Sequence, residues 1–214
     1  MRLAIVDDHD LARDSLRDML ADELDLDVVG EAANGREALS LCSRLNPDLV
    51  LMDVRMPEMD GLSATKAIKR RHPEISVLMM TMHENPDYLL EALKVGAAGY
   101  VLKDASQEQI ISAVRRVQDG ESPLDEELAA RLLRRLVAEV GERRPAVPRG
   151  NSHVELLTPR ELEVLEHTKL GRTNREISRE LGISPGTVKR HIEHIIAKLG
   201  VSDRTQAVVR ALEL

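Results

Sequence analysis

Aromatic side chains are nearly absent from the 214-residue chain: Tyr88 and Tyr100 stand alone, with no Phe or Trp. Any core must therefore be aliphatic, and base stacking on single-stranded nucleic acid has almost nothing to use. A single cysteine, Cys42, excludes an intramolecular disulfide and a cysteine-rich zinc site. No apolar run approaches the ~18 residues of a membrane-spanning helix. The N-terminus, MRLAIVDDHD, turns acidic too soon for a signal peptide. These absences predict a soluble, cytoplasmic protein. What is present is ordinary globular material, 43% hydrophobic and 31% charged.

The net charge of −7 is unevenly spread. Residues 1–120 hold 14 Lys/Arg against 22 Asp/Glu, residues 121–152 hold 6 against 6, and residues 153–214 hold 10 against 9. These three segments are the expected domain, connector and second domain. In the first, short aliphatic runs alternate with amphipathic stretches. The runs are Leu3–Val6, Leu26–Ala32, Asp48–Met52, Ser76–Met80 and Gly99–Leu102. Runs of this length suit strands buried on both faces, and the alternation predicts a doubly wound, five-stranded parallel α/β domain. Leu124–Val140 reads as a leucine-faced helix, and the Pro/Gly/Arg-rich Gly141–Ser152 as a linker. Beyond it the pattern predicts a small all-α domain of four short helices. Its caps are Thr158 with Glu161, Thr173 with Glu176, Ser184-Pro185, and Asp203 with Gln206. In the first domain, Asn34 with Glu37 and Ser106 with Gln109 are further capping boxes.

One constellation carries chemistry in the first domain. Asp7 and Asp8 follow the first run, Asp53 the third, Thr81 the fourth and Lys103 the fifth. In an open parallel sheet these strand ends share one edge, where ligands bind. Three converging carboxylates need a counter-charge, and oxygen ligands without His or Cys at the site favour Mg²⁺. A carboxylate beside Mg²⁺, an ammonium and a hydroxyl can accept a phosphoryl group, with Asp53 as nucleophile. Cys42 sits beside Leu41 and Leu45 as a small core residue, and the methionines of Leu78–Met82 read as packing.

VDDHDLAR, DLVLMDVRMPEMDG and GYVLKD resemble the receiver domain of two-component response regulators, over essentially all of residues 1–120. The resemblance implies transfer from a phosphohistidine of a sensor histidine kinase to Asp53. It implies Mg²⁺ bound by Asp8, Asp53 and the backbone carbonyl of Arg55, with Asp7 acting through water. Thr81 and Lys103 would engage the phosphoryl group and Tyr100 would reorient as a coupled switch. The domain would be a phosphoacceptor that slowly hydrolyses its own acyl phosphate, not an enzyme turning over a substrate. Departures are Asp104 where many receivers carry Pro, and Met82 where many carry a smaller residue that leaves access to the acyl phosphate. Arg55 and His83 occupy positions that tune phosphoryl lifetime in receivers; His83 also reads as a solvated loop residue.

In the second domain, Val188, Ile192, Ile195 and Leu199 make one helical stripe, with Lys189, Arg190 and Glu193 on the other side. The preceding helix and the turn Gly182-Ile183-Ser184 complete a helix-turn-helix pattern. Lys189 and Arg190 suit guanine edges or phosphates, and Thr173 and Thr187 suit phosphates. LTPRELEVL, GRTNREISRELGIS and GTVKRHIEHIIAKLGVSDRTQAV resemble the LuxR-type helix-turn-helix, so the whole chain is similar to the NarL/FixJ class of response regulators. Glu193 stands where several relatives carry a basic or amide residue. The last helix is expected to expose Val201, Ala207, Val208 and Ala211 for dimerisation. The implied partners are the kinase, inverted-repeat promoter DNA, a second copy of the chain and RNA polymerase. A Mg²⁺-dependent phosphohydrolase would use the same acids, yet it would not need Lys189 and Arg190, and no substrate cap is evident.

Overall fold

The computed structural model describes residues 1–23, 25–82, 86–121, 123 and 157–213, the side chains of residues 86, 87, 212 and 213 apart. His83, the helix expected at Leu124–Val140 and the expected linker lie outside the described residues.

Strands β1 (Arg2–Val6), β2 (Asp27–Ala32), β3 (Leu49–Asp53), β4 (Ser76–Thr81) and β5 (Gly99–Leu102) pair in parallel in the order β2-β1-β3-β4-β5. Alternate residues of each strand face opposite sides. Ala4, Val6, Val50, Met52, Val77 and Met79 point one way, onto Leu41 and Cys42 of α2 (Gly35–Leu45) and Ala64 and Ile68 of α3 (Gly61–Arg71). Leu3, Ile5, Leu49, Leu51, Leu78 and Met80 point the other way, onto Leu16 and Leu20 of α1 (Asp10–Ala21) and Ile110 and Val114 of α5 (Gln107–Gln118). Helix α4 (Pro86–Lys94) connects β4 to β5. The two aliphatic layers explain how the fold dispenses with aromatic residues. The two edge strands depart from burial on both faces: the residues of β2 are mostly half-buried, and those of β5 alternate between buried and half-buried. Cys42 is fully buried, which pushes its thiol up to about 11 and leaves it a packing residue.

Local caps follow the sequence closely. Ser106 and Gln109 form a reciprocal capping box at α5. At α2, Asn34 accepts from the Arg36 and Glu37 amides, but the Glu37 carboxylate reaches the Ala33 amide rather than that of Asn34. The Lys103–Asp104 peptide is trans, as is every described peptide bond.

The C-terminal region contains α6 (Pro159–Lys169), α7 (Asn174–Leu181), α8 (Pro185–Leu199) and α9 (Arg204–Glu213). Thr158 with Glu161 and Thr173 with Glu176 are complete capping boxes, and Ser184 caps α8. Gly182 ends α7 at φ 66°, a left-handed turn that a side chain would strain, and this sets α8 across α7. Val164, Leu165, Ile177, Val188, Ile192, Ile195, Leu199 and Ala207 form a separate aliphatic core.

The expectation that α9 exposes its apolar residues is corrected here. Ala207 belongs to that core and Val208 is 3% exposed, while Val201 and Ala211 are half-buried against the core. A helical apolar stripe looks the same whether it packs on its own domain or on a partner. Here α9 packs against α6, α8 and also α4 of the N-terminal domain.

Candidate functional site: an acidic strand edge and a helix-turn-helix

The strand order reverses between β1 and β3, so a crevice opens at the carboxyl ends of these two strands. Asp7 and Asp8 follow β1 on one side of it and Asp53 ends β3 on the other. Lys103 follows β5, with its amide bonded to the Thr81 carbonyl at 2.8 Å. Its ammonium bridges the crevice: Nζ lies 2.5 Å from Asp7 Oδ2 and 2.8 Å from Asp53 Oδ2. The expected counter-charge is thus partly internal.

Both bridged carboxylates are buried, Asp7 to 1% and Asp53 to 6% exposure. The Asp53 carboxyl is raised above its ordinary value. Burial is the main cause; the Lys103 hydrogen bond and charge oppose it without cancelling it, and Asp7 adds to the rise. For Lys103, burial disfavours the ammonium, but the hydrogen bonds and charges of Asp53 and Asp7 prevail and raise it. Asp53 Oδ1 also accepts from the Arg55 amide at 3.4 Å. Thr81 ends β4, and Tyr100 on β5 is half-buried against the α2–α3 side of the core. Met82 is 57% exposed beyond Thr81.

Since the folded chain holds the Asp53 proton more tightly than the unfolded chain, folding is relatively favoured below the ordinary value of 3.8. That advantage is lost as pH rises through the raised folded value. Asp53→Asn removes the buried charge, so its unfolding midpoint at pH 7 should exceed the parent's, and the gap should close as pH falls toward 3.8. A less stable variant at pH 7 would mean that attraction to Lys103 outweighs the cost of burial.

One group was missed in the sequence. His9 Nδ1 is 2.9 Å from Asp8 Oδ1 and 3.5 Å from Asp7 Oδ1, and the His9 amide donates to Asp7 Oδ1 at 3.0 Å. Ligand atoms of Asp7, Asp8 and His9 lie within 4.8 Å of one another, so the acidic edge does include a histidine; Asp53 stands outside this trio, turned to Lys103. The signal was available, because His9 directly follows the paired acids. Its ring is 74% exposed, and the inner donors remain carboxylate oxygens that suit a hard divalent cation.

Gly61 is the second omission. Its amide donates to the Val54 carbonyl at 2.9 Å, and a Cβ there would stand 2.0 Å from the Asp53 carbonyl oxygen. The start of α3 therefore rests directly on the backbone of Asp53.

In the second domain, the stripe Val188, Ile192, Ile195 and Leu199 is buried as expected. Arg190 and Glu193 are exposed, while Lys189 and Thr187 are half-buried. The Thr187 and Ser184 hydroxyls lie 2.9 Å apart within the cap of α8. Thr173 Oγ1 accepts from the Glu176 amide at 3.4 Å and donates to the Glu176 carboxylate at 2.9 Å, so its hydroxyl already serves the start of α7. Lys189 Nζ lies 3.4 Å from Asp119 Oδ1, at the end of α5.

Comparison with known proteins agrees with both halves. The response regulator receiver domain family matches residues 3–115, and the bacterial regulatory proteins of the luxR family match residues 155–211. The transcriptional regulatory protein LnrK of Bacillus subtilis is 40% identical across 98% of this chain and 95% of its own length. The response regulator protein VraR of Staphylococcus aureus is 38% identical across 100% and 97%. A solved structure of two RcsB dimers bound to two parallel DNAs is 26% identical with a TM-score of 0.56, across 100% of this chain and 98% of that one. Among the described residues no helix is long and apolar enough to cross a membrane. A parallel sheet with its acids at one edge, joined to a helix-turn-helix, places this chain in the family of two-component response regulators that pair a receiver domain with a LuxR-type DNA-binding domain and regulate transcription.

Proposed function

We propose that Asp53 accepts a phosphoryl group from a phosphohistidine of a sensor histidine kinase, and that the modification changes how the chain pairs and grips promoter DNA. The observation that carries this reading is the Lys103 ammonium bridging Asp7 and Asp53 at the strand edge. An Asp53 carboxylate oxygen attacks phosphorus, the P–N bond breaks with its electron pair staying on nitrogen, and the ring, already protonated on its other nitrogen, leaves as neutral imidazole. Lys103 then exchanges a carboxylate oxygen for a phosphoryl oxygen, and Thr81 donates its hydroxyl to another. Water later returns the acyl phosphate to carboxylate and inorganic phosphate.

Asp8, Asp53 and the Arg55 carbonyl would hold Mg²⁺, with Asp7 behind them through water. The cation's chemistry, when bound, is to neutralise charge on the transferring oxygens. The fit is supported by the donor set, in which the carboxylates of Asp7 and Asp8 stand close together and Asp53 faces them across the Lys103 bridge.

The phosphoacceptor domain spans residues 1–120 and the DNA-binding domain residues 153–214, with 121–152 joining them. Lys189, Arg190 and Glu193 on α8 face the major groove, and Thr187 and Thr173 lie near its phosphates. Two copies pair through α9 on inverted-repeat DNA. RNA polymerase is the remaining partner. The test is the affinity of the full chain for duplexes selected from a random pool, with and without a phosphodonor and Mg²⁺; equal affinities would refute the reading.

Lys189→Ala should weaken binding to such a duplex. If Lys189 grips a phosphate, the slope of log affinity against log salt falls by about 0.9. If it reads a base edge, discrimination at that position falls by roughly 1–3 kcal/mol. Unchanged affinity and slope at moderate salt would remove Lys189 from the interface.

A further inference from the structure

Helix α8 carries a single acidic residue, and it stands on the side turned away from the domain's core. Gly186, Arg190, Glu193 and Ala197 form one exposed stripe, opposite the buried stripe Val188, Ile192, Ile195 and Leu199. The stripe begins with a glycine and ends with an alanine, so Arg190 and Glu193 are its two reaching side chains. Gly186 itself is open: Ser184 Oγ lies 3.8 Å from where a Cβ would stand. Arg190 and Glu193 are less than one turn apart and opposite in charge. Among the described residues, neither is held in an ion pair with the other or with any neighbour. Lys189, the other cation within reach of Glu193, lies by Asp119 instead. The carboxylate of Glu193 is therefore uncommitted.

An acid in this place is costly. Duplex DNA carries one negative charge per ~1.7 Å of its axis, and residues 153–214 offer only 10 Lys/Arg against 9 Asp/Glu to offset it. A carboxylate can only accept hydrogen bonds. In the major groove guanine shows two acceptors, thymine an acceptor and a methyl group, and adenine a donor with an acceptor beside it. Cytosine alone shows a donor, its N4 amino group, with no acceptor on the same base edge. We propose that Glu193 selects cytosine by accepting from that amino group and rejects the other three bases by repulsion, while Arg190 donates to guanine O6 and N7 close by. Three residues of helix rise about 4.5 Å, so the guanine and the cytosine lie within two base steps of one another. This rests on the reading that α8 enters the major groove, and it names the base taken there. The acid lowers affinity for every duplex and is compensated only where the cytosine is present, which is specificity through a difference of affinities.

Glu193 is exposed and bonded to nothing the fold needs, so its variants should fold as the parent does. The full chain, with beryllofluoride and Mg²⁺ at one fixed salt concentration, selects duplexes from a random-sequence pool. The parent's duplexes should share a cytosine near a guanine in each half-site. Glu193→Gln should exchange that cytosine for adenine, whose N6 and N7 suit an amide, and Glu193→Ala should accept any base there. Replacing the cytosine by pyrimidin-2-one, which lacks the 4-amino group, should weaken the parent about tenfold and leave Glu193→Ala within about twofold. On a duplex without the site, Glu193→Ala should bind more tightly than the parent, because a charge facing phosphates is gone. If Glu193→Ala selects the parent's sequence and both proteins tolerate pyrimidin-2-one equally, the cytosine assignment is wrong while α8 stays in the groove. If Glu193→Ala loses the guanine and keeps the cytosine, the carboxylate serves Arg190 and the assignment is again wrong. If Lys189→Ala and Arg190→Ala both keep the parent's affinity, α8 is not in the groove and the underlying reading falls first. If the cytosine is selected equally without beryllofluoride, the assignment stands and the phosphoryl switch fails.

Discussion

Asp53→Ala should reduce phosphoryl incorporation from acetyl phosphate or phosphoramidate, in the presence of Mg²⁺, from near stoichiometric to background. The expectation is strong because the neighbouring acids are poorly placed to substitute. Asp7 is 1% exposed, its Oδ2 is held by Lys103 at 2.5 Å and its Oδ1 by the His9 amide. Asp8 is engaged by the His9 ring. Asp53 alone combines a position at the end of β3 with a carboxyl already paired to the Lys103 ammonium that a phosphoryl oxygen would meet next. Intact-mass spectrometry reads the modification directly. Persistent stoichiometric labelling of the variant would show that another group is the acceptor. Affinity of the unmodified variant for DNA should stay close to the parent's, because α8 and its core are built without Asp53. What the variant should lose is the response of that affinity to phosphodonor.

Much of this site could be read from residues because its logic is one-dimensional at each point. A carboxylate at the end of an aliphatic run is a carboxylate at the edge of a parallel sheet, whatever the strand order. Caps were equally local: Thr158, Thr173, Ser184 and Ser106 all accept the amide three residues on. The bridge from Lys103 to Asp7 was not legible, since it depends on how far apart β1 and β5 lie across β3 and β4. Gly61 was hidden for the same reason, being defined by a carbonyl eight positions away. The reading of α9 failed on physics rather than pattern. Ala207 and Val208 are apolar on one helical face, but periodicity does not say what covers that face. Gln206 looked like part of a cap; its backbone is, whereas its side chain reaches Leu93 and Ala97, more than a hundred residues away.

Gly61→Ala carries the second large effect, and it tests whether the site depends on its backbone support. Gly61 opens α3, its amide bonded to Val54 O at 2.9 Å, with Asp60 capping the helix through the Ser63 amide at 2.7 Å. An added Cβ would lie 2.0 Å from Asp53 O and 3.1 Å from Met52 Cγ. The methionine can rotate, but the carbonyl belongs to β3, and the next amide, Val54 N, is held by Met80 O at 3.1 Å. Relief therefore requires α3 to lift or the end of β3 to shift. Overpacking of this kind typically costs about 1–3 kcal/mol of stability. A displacement of about 1 Å at a reacting group can cost roughly 100-fold in rate. The expected result is a folded variant, with parental helix content by circular dichroism, a lower melting temperature and phosphorylation by small donors slowed about 100-fold. Labelling at the parental rate together with a lowered melting temperature would mean that α3 alone gives way, and that the position of Asp53 does not depend on Gly61.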